Sequence, residues 1–291
     1  MYNNLIKEYD GDFLKRIIAV HDLSGIGKCS LTAALPIISA AGIECNPVPT
    51  AVLSSHTGNI SGYTFRDLTD DLIPYINHWK KIGIHPDAIY SGYLGSEKQV
   101  DAVETIIDEF ADSNTHIIID PAMADSGRLY SGFNSSFIKE MARLCKRADV
   151  ITPNLTEAAF LTGAEYRHDY DTGYINSLIK ALSDFTGRYI VLTGVSDRKG
   201  ETGCAVSDKK TGEIKFFSSP ECPGTYYGTG DIFASVLSAC ITSGKDCFTS
   251  AQNALEFTYK SIHETYLNGT DTRLGVAFEK FLPEIITYVK G

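Results

Sequence analysis

The stretch YGTGD at Tyr227–Asp231, followed at once by the apolar run IFASVLSA at Ile232–Ala239, decides the fold of this 291-residue chain. Two glycines and a threonine lead into apolar residues with helical spacing, which predicts a loop that opens a helix. Glycines let the backbone come close to a ligand, and the free N–H groups of a first helical turn bind anions. We therefore expect an anion site at this helix N-terminus.

Asp231 makes the motif more specific than a plain anion site. A carboxylate alone would repel a phosphate, but it is useful if it takes a proton from a hydroxyl group while neighbouring amides hold developing negative charge. This pattern is typical of phosphoryl transfer to a hydroxyl. The alternative is a glycine-rich turn in which Asp231 is only a first-turn helix residue, where its charge suits the helix dipole.

The composition restricts the class of protein. The formal net charge is −10, which argues against nucleic acid or an anionic membrane as the main partner. The segment Met1–Glu8 lacks the apolar core of a signal peptide, and no apolar run approaches the roughly 20 residues of a membrane span. The seven cysteines form no C-x-x-C pair, which favours reduced thiols over disulfides or a zinc site. We expect a cytoplasmic protein.

Short β-rich runs alternate with longer amphipathic segments along the chain. Each run ends in a polar or charged residue next to proline or glycine, and helix-like sequence follows. Repeated strand–loop–helix units predict an α/β fold with a parallel sheet and helices on both faces. The β-rich runs are Arg16–Val20, Val48–Leu53, Ala88–Tyr90, His116–Pro121, Val150–Asn154 and Tyr189–Gly194, with helices at Leu31–Ala41 and Glu97–Phe110, a hairpin over Gly203–Ser219 near the end of the sheet, and a mostly helical region from Asp231.

Polar residues follow several of these strands. Parallel sheets bind ligands beyond the carboxyl ends of their strands, all of which lie at one edge. The residues expected to meet at that edge are Asp22, Asp120, Thr152, Asn154 and Thr193.

The loop Ser24–Ser30 contains two glycines and a lysine, as phosphate-binding motifs do. A P-loop needs glycine at position 22 and serine or threonine at position 29, where this chain has Asp22 and Cys29. A dinucleotide fingerprint fails too, because Ser30 stands where a small glycine-like residue is required. We interpret the segment as a substrate-side loop at the ligand edge.

Five motifs stand along the chain: Ser54–Gly58 (SSHTG), Ser91–Ser96 (SGYLGS), Asp120–Met123 (DPAM), Thr152–Glu157 (TPNLTE) and Gly228–Asp231 (GTGD). Their order resembles the ribokinase superfamily, and within it the vitamin kinases for pyridoxal and hydroxymethylpyrimidine. The resemblance runs from about Ile17 to the end of the chain and favours the pyridoxal kinase branch. It implies a ribokinase-like three-layer αβα sandwich with a mostly parallel central sheet. It also implies one kinase domain over residues 1–291, with residues 1–15 as an N-terminal extension, ATP, Mg²⁺ and K⁺ as cofactors, and a homodimer.

The resemblance also implies a role for each matching residue. Asp231 would activate the 5′-hydroxyl of a B6 vitamer, and Gly228, Thr229 and Gly230 would form the anion hole for the transferred phosphoryl group. Hard oxygen ligands suit Mg²⁺, which normally keeps several waters. The implied metal residues are Asp120, Glu157 and Thr152; the implied ATP residues are Asp120, Asn154, Glu157, Thr193, Gly194, Thr229 and Gly230; the implied vitamin residues are Asp22, Ser24, His56, Thr57, Tyr93 and Asp231.

Two alternatives to a B6 kinase remain open. The first loop, His21–Gly27, is more similar to that of hydroxymethylpyrimidine kinases, although members of that kind often carry cysteine where this chain has Asp231. A hydroxymethylpyrimidine (phosphate) kinase is therefore the nearest alternative. A non-catalytic vitamer-binding protein on a kinase scaffold is the other. The intact anion hole with Asp231 argues against it, because a pure binder has no need of a base.

Single residues have simpler interpretations as well. Asp120 and Asp22 could cap the turns after their strands, Glu157 could be a first-turn acid with Thr156 close to the N-cap, His56 could be a hydrogen-bonded loop histidine, and Tyr93 could belong to the core. Tyr130 is a further candidate for the nucleotide site, and Cys222 is either a lid residue near an aldehyde substrate or an inert thiol.

Overall fold

The structure, a computed structural model, describes residues 14–290, so most of the predicted N-terminal extension lies outside the described residues. The strands are β1 (Arg16–Ser24), β2 (Glu44–Leu53), β3 (Phe65–Asp67), β4 (Ala88–Ser91), β5 (His116–Ile119), β6 (Ala124–Asp125), β7 (Arg128–Leu129), β8 (Val150–Ile151), β9 (Tyr189–Thr193), β10 (Glu201–Asp208) and β11 (Glu213–Pro220). The helices are α1 (Leu31–Ala40), α2 (Thr69–Ile82), α3 (Glu97–Phe110), α4 (Ser135–Cys145), α5 (Leu155–Thr162), α6 (Thr172–Leu182), α7 (Thr229–Thr242), α8 (Cys247–Asn268) and α9 (Leu282–Lys290).

Within the described residues, the main sheet has nine strands in the order β11-β10-β9-β8-β5-β4-β1-β2-β3. Its centre, from β9 to β2, is parallel. The outer strands β3, β10 and β11 pair in antiparallel fashion at the two edges. The predicted hairpin is β10 and β11, and it does form one end of the sheet. The predicted α/β fold with a mostly parallel sheet is confirmed.

Helices cover both faces because the central strands are apolar on both sides. In β1, Ile18 and Val20 face a core shared with α2 to α6, whereas Ile17 faces a second core shared with α1, α7, α8 and α9. A parallel strand that is buried on both faces needs such a continuous apolar run. The three layers of the predicted sandwich follow directly from this alternation.

The predicted boundaries are close to those observed. The helix α3 begins and ends at the predicted residues, and α1 ends one residue before the predicted end. No helix within residues 14–290 is long and apolar enough to cross a membrane. The single-domain organisation and the homodimer stay predictions.

Candidate active site

The carboxyl ends of β5, β8 and β9 and the N-terminus of α7 surround a cleft of about 510 Å³. Parallel strands end at the same edge of the sheet, so side chains that follow different strands meet there. The predicted metal and ATP residues and the glycine motif line this cleft together: Asp120, Thr152, Asn154, Glu157, Thr193, Gly194, Gly228, Thr229, Gly230 and Asp231. The other predicted vitamin residues, Asp22, Ser24, His56, Thr57 and Tyr93, lie outside that lining.

Gly228 is the N-cap of α7 and has a φ of 75°, in the left-handed region that favours glycine. A Cβ atom at this position would lie 2.4 Å from the carbonyl oxygen of Lys28. Glycine therefore lets the loop before α1 pack against the motif. Thr229 and Gly230 follow as the first helical residues and line the cleft. The helix thus presents its N-terminus, where N–H groups lack helical partners, to the predicted anion site.

Asp231 lies in the first turn of α7, half-buried at the wall of the cleft. Burial raises its pKa to about 7; the backbone N–H of Ser30 lowers the pKa, and the neighbouring Asp22 raises it further. A carboxyl group that titrates near neutral pH can accept a proton from a hydroxyl group and then release it. The raised pKa of Asp231 therefore suits a general base, and that role stays a prediction.

Asp120 follows β5 and is 8% exposed. Burial raises its pKa, and the charge of Asp231 adds to the rise. The buried hydroxyl of Thr152, after β8, has no well-formed hydrogen bond to any described residue. It is nevertheless close enough to Asp120 to offset part of that rise. An unpartnered hydroxyl beside a buried carboxylate offers the hard oxygen atoms that a Mg²⁺ ion prefers.

Asn154 and Glu157 form a capping box at the N-terminus of α5. The Asn154 side chain accepts the backbone N–H groups of Thr156 and Glu157, and Glu157 Oε2 accepts the Asn154 N–H at 2.8 Å. Glu157 Oε1 accepts the Met123 N–H at 3.0 Å. Burial raises the pKa of Glu157, and Asp120 contributes to that rise. The N-cap is therefore Asn154, and Glu157 is a first-turn acid with Thr156 close to the cap, as the simpler interpretation of Glu157 expects. The predicted binding of ATP by Asn154, and of ATP and metal by Glu157, stays a prediction.

The cleft is acidic. Among residues 14–290, no lysine or arginine lines it, so positive charge for a phosphate would have to come from the helix N-terminus and from bound cations. Five carboxylates line its walls: Asp120, Asp125, Glu157, Glu221 and Asp231.

Asp22 lies where the pairing of β1 with β2 shifts register, a common device for re-aiming a side chain near a site. Its Oδ2 accepts the hydroxyl of Ser24 at 2.7 Å, and its Oδ1 accepts the hydroxyl of Ser30 at 2.6 Å. Burial raises its pKa. Because its charge also raises the pKa of Asp231, the two carboxylates are neighbours. Two predicted vitamin residues, Asp22 and Ser24, therefore lie beside the candidate base.

His56 is a hydrogen-bonded loop histidine, so that simpler interpretation is confirmed. Its Nε2 lies 2.5 Å from the carbonyl oxygen of Arg273, and its Nδ1 accepts the N–H of Gly58 at 3.0 Å. These partners indicate that Nε2 donates to the carbonyl and that Nδ1 accepts. The ring centroid lies 5.2 Å from that of Tyr227, the first residue of the glycine motif. A contact between the His56 ring and the vitamin stays a prediction.

The remaining predicted residues are dispersed. Tyr93 is half-buried and stacks on Phe133 with 5.6 Å between ring centroids, and Thr57 is exposed. Tyr130 and Cys222 both line the cleft. Burial raises the pKa of the Cys222 thiol, which favours the inert interpretation.

The sequence analysis did not predict the apolar wall on one side of the cleft. Leu255, Tyr259 and Ile262 contribute to it from α8, and Phe233 contributes from α7. The three α8 residues have i, i+4, i+7 spacing, which places them on one helical face. That spacing is the sequence signal that could have found them. A flat heteroaromatic base is the kind of group that such a wall accepts.

A three-layer αβα fold with an aspartate at a glycine-rich helix N-terminus and carboxylates at the sheet edge is the arrangement of a ribokinase-like kinase that phosphorylates an alcohol group. Comparison with known proteins agrees. The phosphomethylpyrimidine kinase family matches residues 29–274, and the chain belongs to that family.

Individual relatives are similar over nearly the whole chain. The structure of pyridoxal kinase from Lactobacillus plantarum has a TM-score of 0.87 at 32% identity and covers 94% of this chain and 98% of that one. A second structure is that of a Bacteroides thetaiotaomicron protein described as a phosphomethylpyrimidine kinase and crystallised with pyridoxal. It has a TM-score of 0.89 at 37% identity and covers 94% of this chain and 96% of that one. The pyridoxal kinase PdxY of Aliivibrio fischeri is 24% identical over 285 residues, covering 94% of this chain and 98% of its own. The resemblance to the pyridoxal kinase branch of the ribokinase superfamily is confirmed.

Proposed function

We propose that this chain phosphorylates the 5′-hydroxymethyl group of a B6 vitamer with ATP. The observation that carries the proposal is Asp231, a carboxyl with a pKa of about 7 in the first turn of α7, beside the helix amides that follow Gly228. The similarity to the L. plantarum pyridoxal kinase and to the B. thetaiotaomicron protein crystallised with pyridoxal supports a B6 vitamer as the acceptor.

ATP fits along the cleft. The apolar wall formed by Leu255, Tyr259 and Ile262 suits the adenine base, and the N-terminus of α7 suits the phosphates. Because the cleft walls carry carboxylates but no lysine or arginine from within residues 14–290, the phosphates would approach only together with cations.

The cation proposed for the phosphates is Mg²⁺, with K⁺ as an accompanying monovalent ion. Within residues 14–290, no three His, Cys, Asp or Glu side chains converge to form a site made of protein ligands alone. Mg²⁺ often binds through one or two carboxylates, water and substrate phosphates. Asp120 and the unpartnered hydroxyl of Thr152 fit that requirement, whereas both oxygens of Glu157 accept backbone N–H groups. When bound, Mg²⁺ would neutralise charge on the phosphates.

The residues of the chain would then act as follows. Asp231 accepts the proton of the vitamin hydroxyl as the new oxygen–phosphorus bond forms. The N–H groups of Thr229 and Gly230 hold the negative charge of the transferred phosphoryl group, and the bond to the bridging oxygen breaks to leave ADP. Asp22 contacts the ring of the vitamin and orients it. Catalysis of this kind depends on positioning and charge neutralisation more than on covalent chemistry.

Hydroxymethylpyrimidine kinase is the second candidate, because the matching family is that of phosphomethylpyrimidine kinases. A hydroxymethylpyrimidine also carries a hydroxymethyl group on a flat heteroaromatic ring. The carboxylate of Asp22 could accept a hydrogen bond from its amino group as well as from a protonated pyridine. The base and the anion hole would work in the same way for both acceptors.

An assay that couples ADP release to a colour change, with Mg-ATP and K⁺, tests the proposal. Pyridoxal, pyridoxine, pyridoxamine, hydroxymethylpyrimidine and ribose are compared at equal concentration. We expect at least one B6 vitamer to exceed hydroxymethylpyrimidine by roughly tenfold or more in kcat/KM, and ribose to give no turnover. Preference for hydroxymethylpyrimidine would favour the second candidate. Vitamer binding without ADP release would identify a non-catalytic binder.

The stability of the protein without Mg²⁺ should fall as the pH rises. The pKa of Asp231 is about 7, and the pKa values of Asp120 and Glu157 are also raised by burial. The folded state therefore retains protons that the unfolded chain releases near the ordinary carboxyl pKa of roughly 4. The stabilisation is complete below that pH and is lost as the pH rises through the folded-state values. Thermal unfolding in a chelator should show a falling Tm between roughly pH 5 and pH 8.

Two comparisons make that measurement specific. Asp120→Asn should flatten the decline, because one buried charge is removed, and saturating Mg²⁺ should raise the wild-type Tm most at the upper end of the range. A wild-type Tm that is constant or rises with pH in the chelator would show that the buried carboxyls do not carry the raised pKa values.

A further inference from the structure

Ser30 has a backbone conformation that serine rarely adopts. It is the N-cap of α1, with a φ of 50° and a ψ of −131°. Glycine is favoured in this region because it has no Cβ atom to accommodate. Residues in such conformations are concentrated at active sites, where the surrounding structure holds them in place. A serine at a position that suits glycine indicates that its side chain has a task.

The hydroxyl of Ser30 does not cap its own helix. An N-cap side chain normally accepts a backbone N–H from the first turn, as the N-caps of α4, α5, α6 and α8 do. Ser30 makes no such bond. Its hydroxyl donates instead to Oδ1 of Asp22 at 2.6 Å, and Ser24 donates to Oδ2 at 2.7 Å. Asp22 is therefore held on both of its oxygens.

Ser30 also reaches the second carboxylate. Its backbone N–H is close enough to the side chain of Asp231 to lower the pKa of that carboxyl. Asp22, Ser24 and Ser30 are each 5% exposed or less, so little water competes for these contacts. One strained residue thus directs its hydroxyl to Asp22 and its N–H to Asp231.

We propose that Ser30 is a positioning residue that holds Asp22 against the ring of the acceptor, beside the base Asp231. The inference rests on the proposed function, because it requires Asp22 to contact the acceptor. Without the Ser30 hydroxyl, Asp22 has one side-chain donor instead of two and can rotate. Acceptor binding then weakens, whereas nucleotide binding along the cleft does not.

Ser30→Gly tests this role, because glycine adopts the same backbone conformation without strain and the fold is preserved. We expect the KM for pyridoxal to rise roughly tenfold, with the KM for ATP unchanged and the Tm not lowered. Ser126→Gly is the matched control. Ser126 also has a φ of 50° and is exposed in the turn between β6 and β7, so this change should alter neither KM. A wild-type KM for pyridoxal in Ser30→Gly would show that Ser30 is only structural and would overturn the proposal.

A double-mutant cycle with Asp22→Asn tests whether Ser30 acts through Asp22. In the Asp22→Asn background, Ser30→Gly should raise the KM for pyridoxal by less than about twofold, whereas a full tenfold increase would overturn the proposal. Wild-type turnover is measured first. Its absence with every B6 vitamer contradicts the proposed function, and the variants are then compared with hydroxymethylpyrimidine by the same criteria. Normal wild-type turnover with an unchanged KM in Ser30→Gly contradicts only the role of Ser30.

Discussion

Asp231→Asn should lower kcat by roughly 10³-fold while leaving the affinity for ATP within about a factor of two. The asparagine side chain has nearly the same shape and keeps the first turn of α7, but it cannot accept a proton. The raised pKa of Asp231 makes the wild-type carboxyl well matched to proton transfer near neutral pH, and this match is lost in the variant. Steady-state kinetics give kcat, and calorimetric titration with ADP gives nucleotide affinity.

Asp70→Asn is the matched control for this substitution. Asp70 is also an aspartate in the first turn of a helix, α2, but it is exposed and does not line the cleft. Its variant should retain wild-type kcat. Near wild-type turnover in Asp231→Asn would refute the assignment of the base. Parallel losses of kcat and of nucleotide affinity would show that Asp231 supports the site rather than the proton transfer.

Gly228→Ala should reduce kcat by at least about 10²-fold and also lower the Tm. The φ of 75° is unfavourable for alanine, at a cost of about 1–2 kcal/mol, and the new Cβ would lie 2.4 Å from the carbonyl oxygen of Lys28. Backbone atoms on one side or the other must move to relieve that clash. The helix N-terminus that forms the predicted anion hole would then be displaced relative to Asp231.

The control variant Gly212→Ala separates the effect of backbone strain at a positive φ from the effect of displacing the N-terminus of α7. Gly212 has a φ of 74° in the hairpin turn between β10 and β11, and a Cβ there would meet no atom within 4 Å. The control should therefore lose some stability but no activity, as measured by differential scanning calorimetry and the ADP-release assay. If Gly228→Ala retains wild-type kcat, the position of the α7 N-terminus does not limit phosphoryl transfer.

The polar residues at the carboxyl edge of the sheet were predictable, because each follows a strand that its apolar run reveals in the sequence. Central parallel strands contain continuous apolar runs, such as Ile117–Ile119 in β5, and the first polar residue after each run lies at the carboxyl edge. This argument predicts Asp120, Thr152 and Thr193 at the edge, and all three line the cleft, whereas Asp231 follows from the glycine-rich motif that opens α7. The sequence analysis includes Glu157 as a possible first-turn acid but not its capping box with Asn154, although an acid three residues after an N-cap residue is the usual sign of such a box.

The features of the site that the sequence does not reveal depend on contacts between distant parts of the chain. The hydrogen bond between His56 and Arg273 joins residues 217 positions apart, so no local pattern could show that both ring nitrogens of His56 are occupied. Ser30 would be interpreted from sequence as an ordinary helix cap. Its strained backbone and its bond to Asp22 belong to the α1 loop, which packs against Gly228 from a distant part of the chain.

Mass spectrometry of the products formed from pyridoxal and Mg-ATP tests the central claim most directly. The account predicts one molecule of pyridoxal 5′-phosphate for each ADP, and the loss of both products together in Asp231→Asn. ADP formed without phosphorylated vitamer would contradict it. So would a mixture of pyridoxal and hydroxymethylpyrimidine in which only the pyrimidine gains a phosphate.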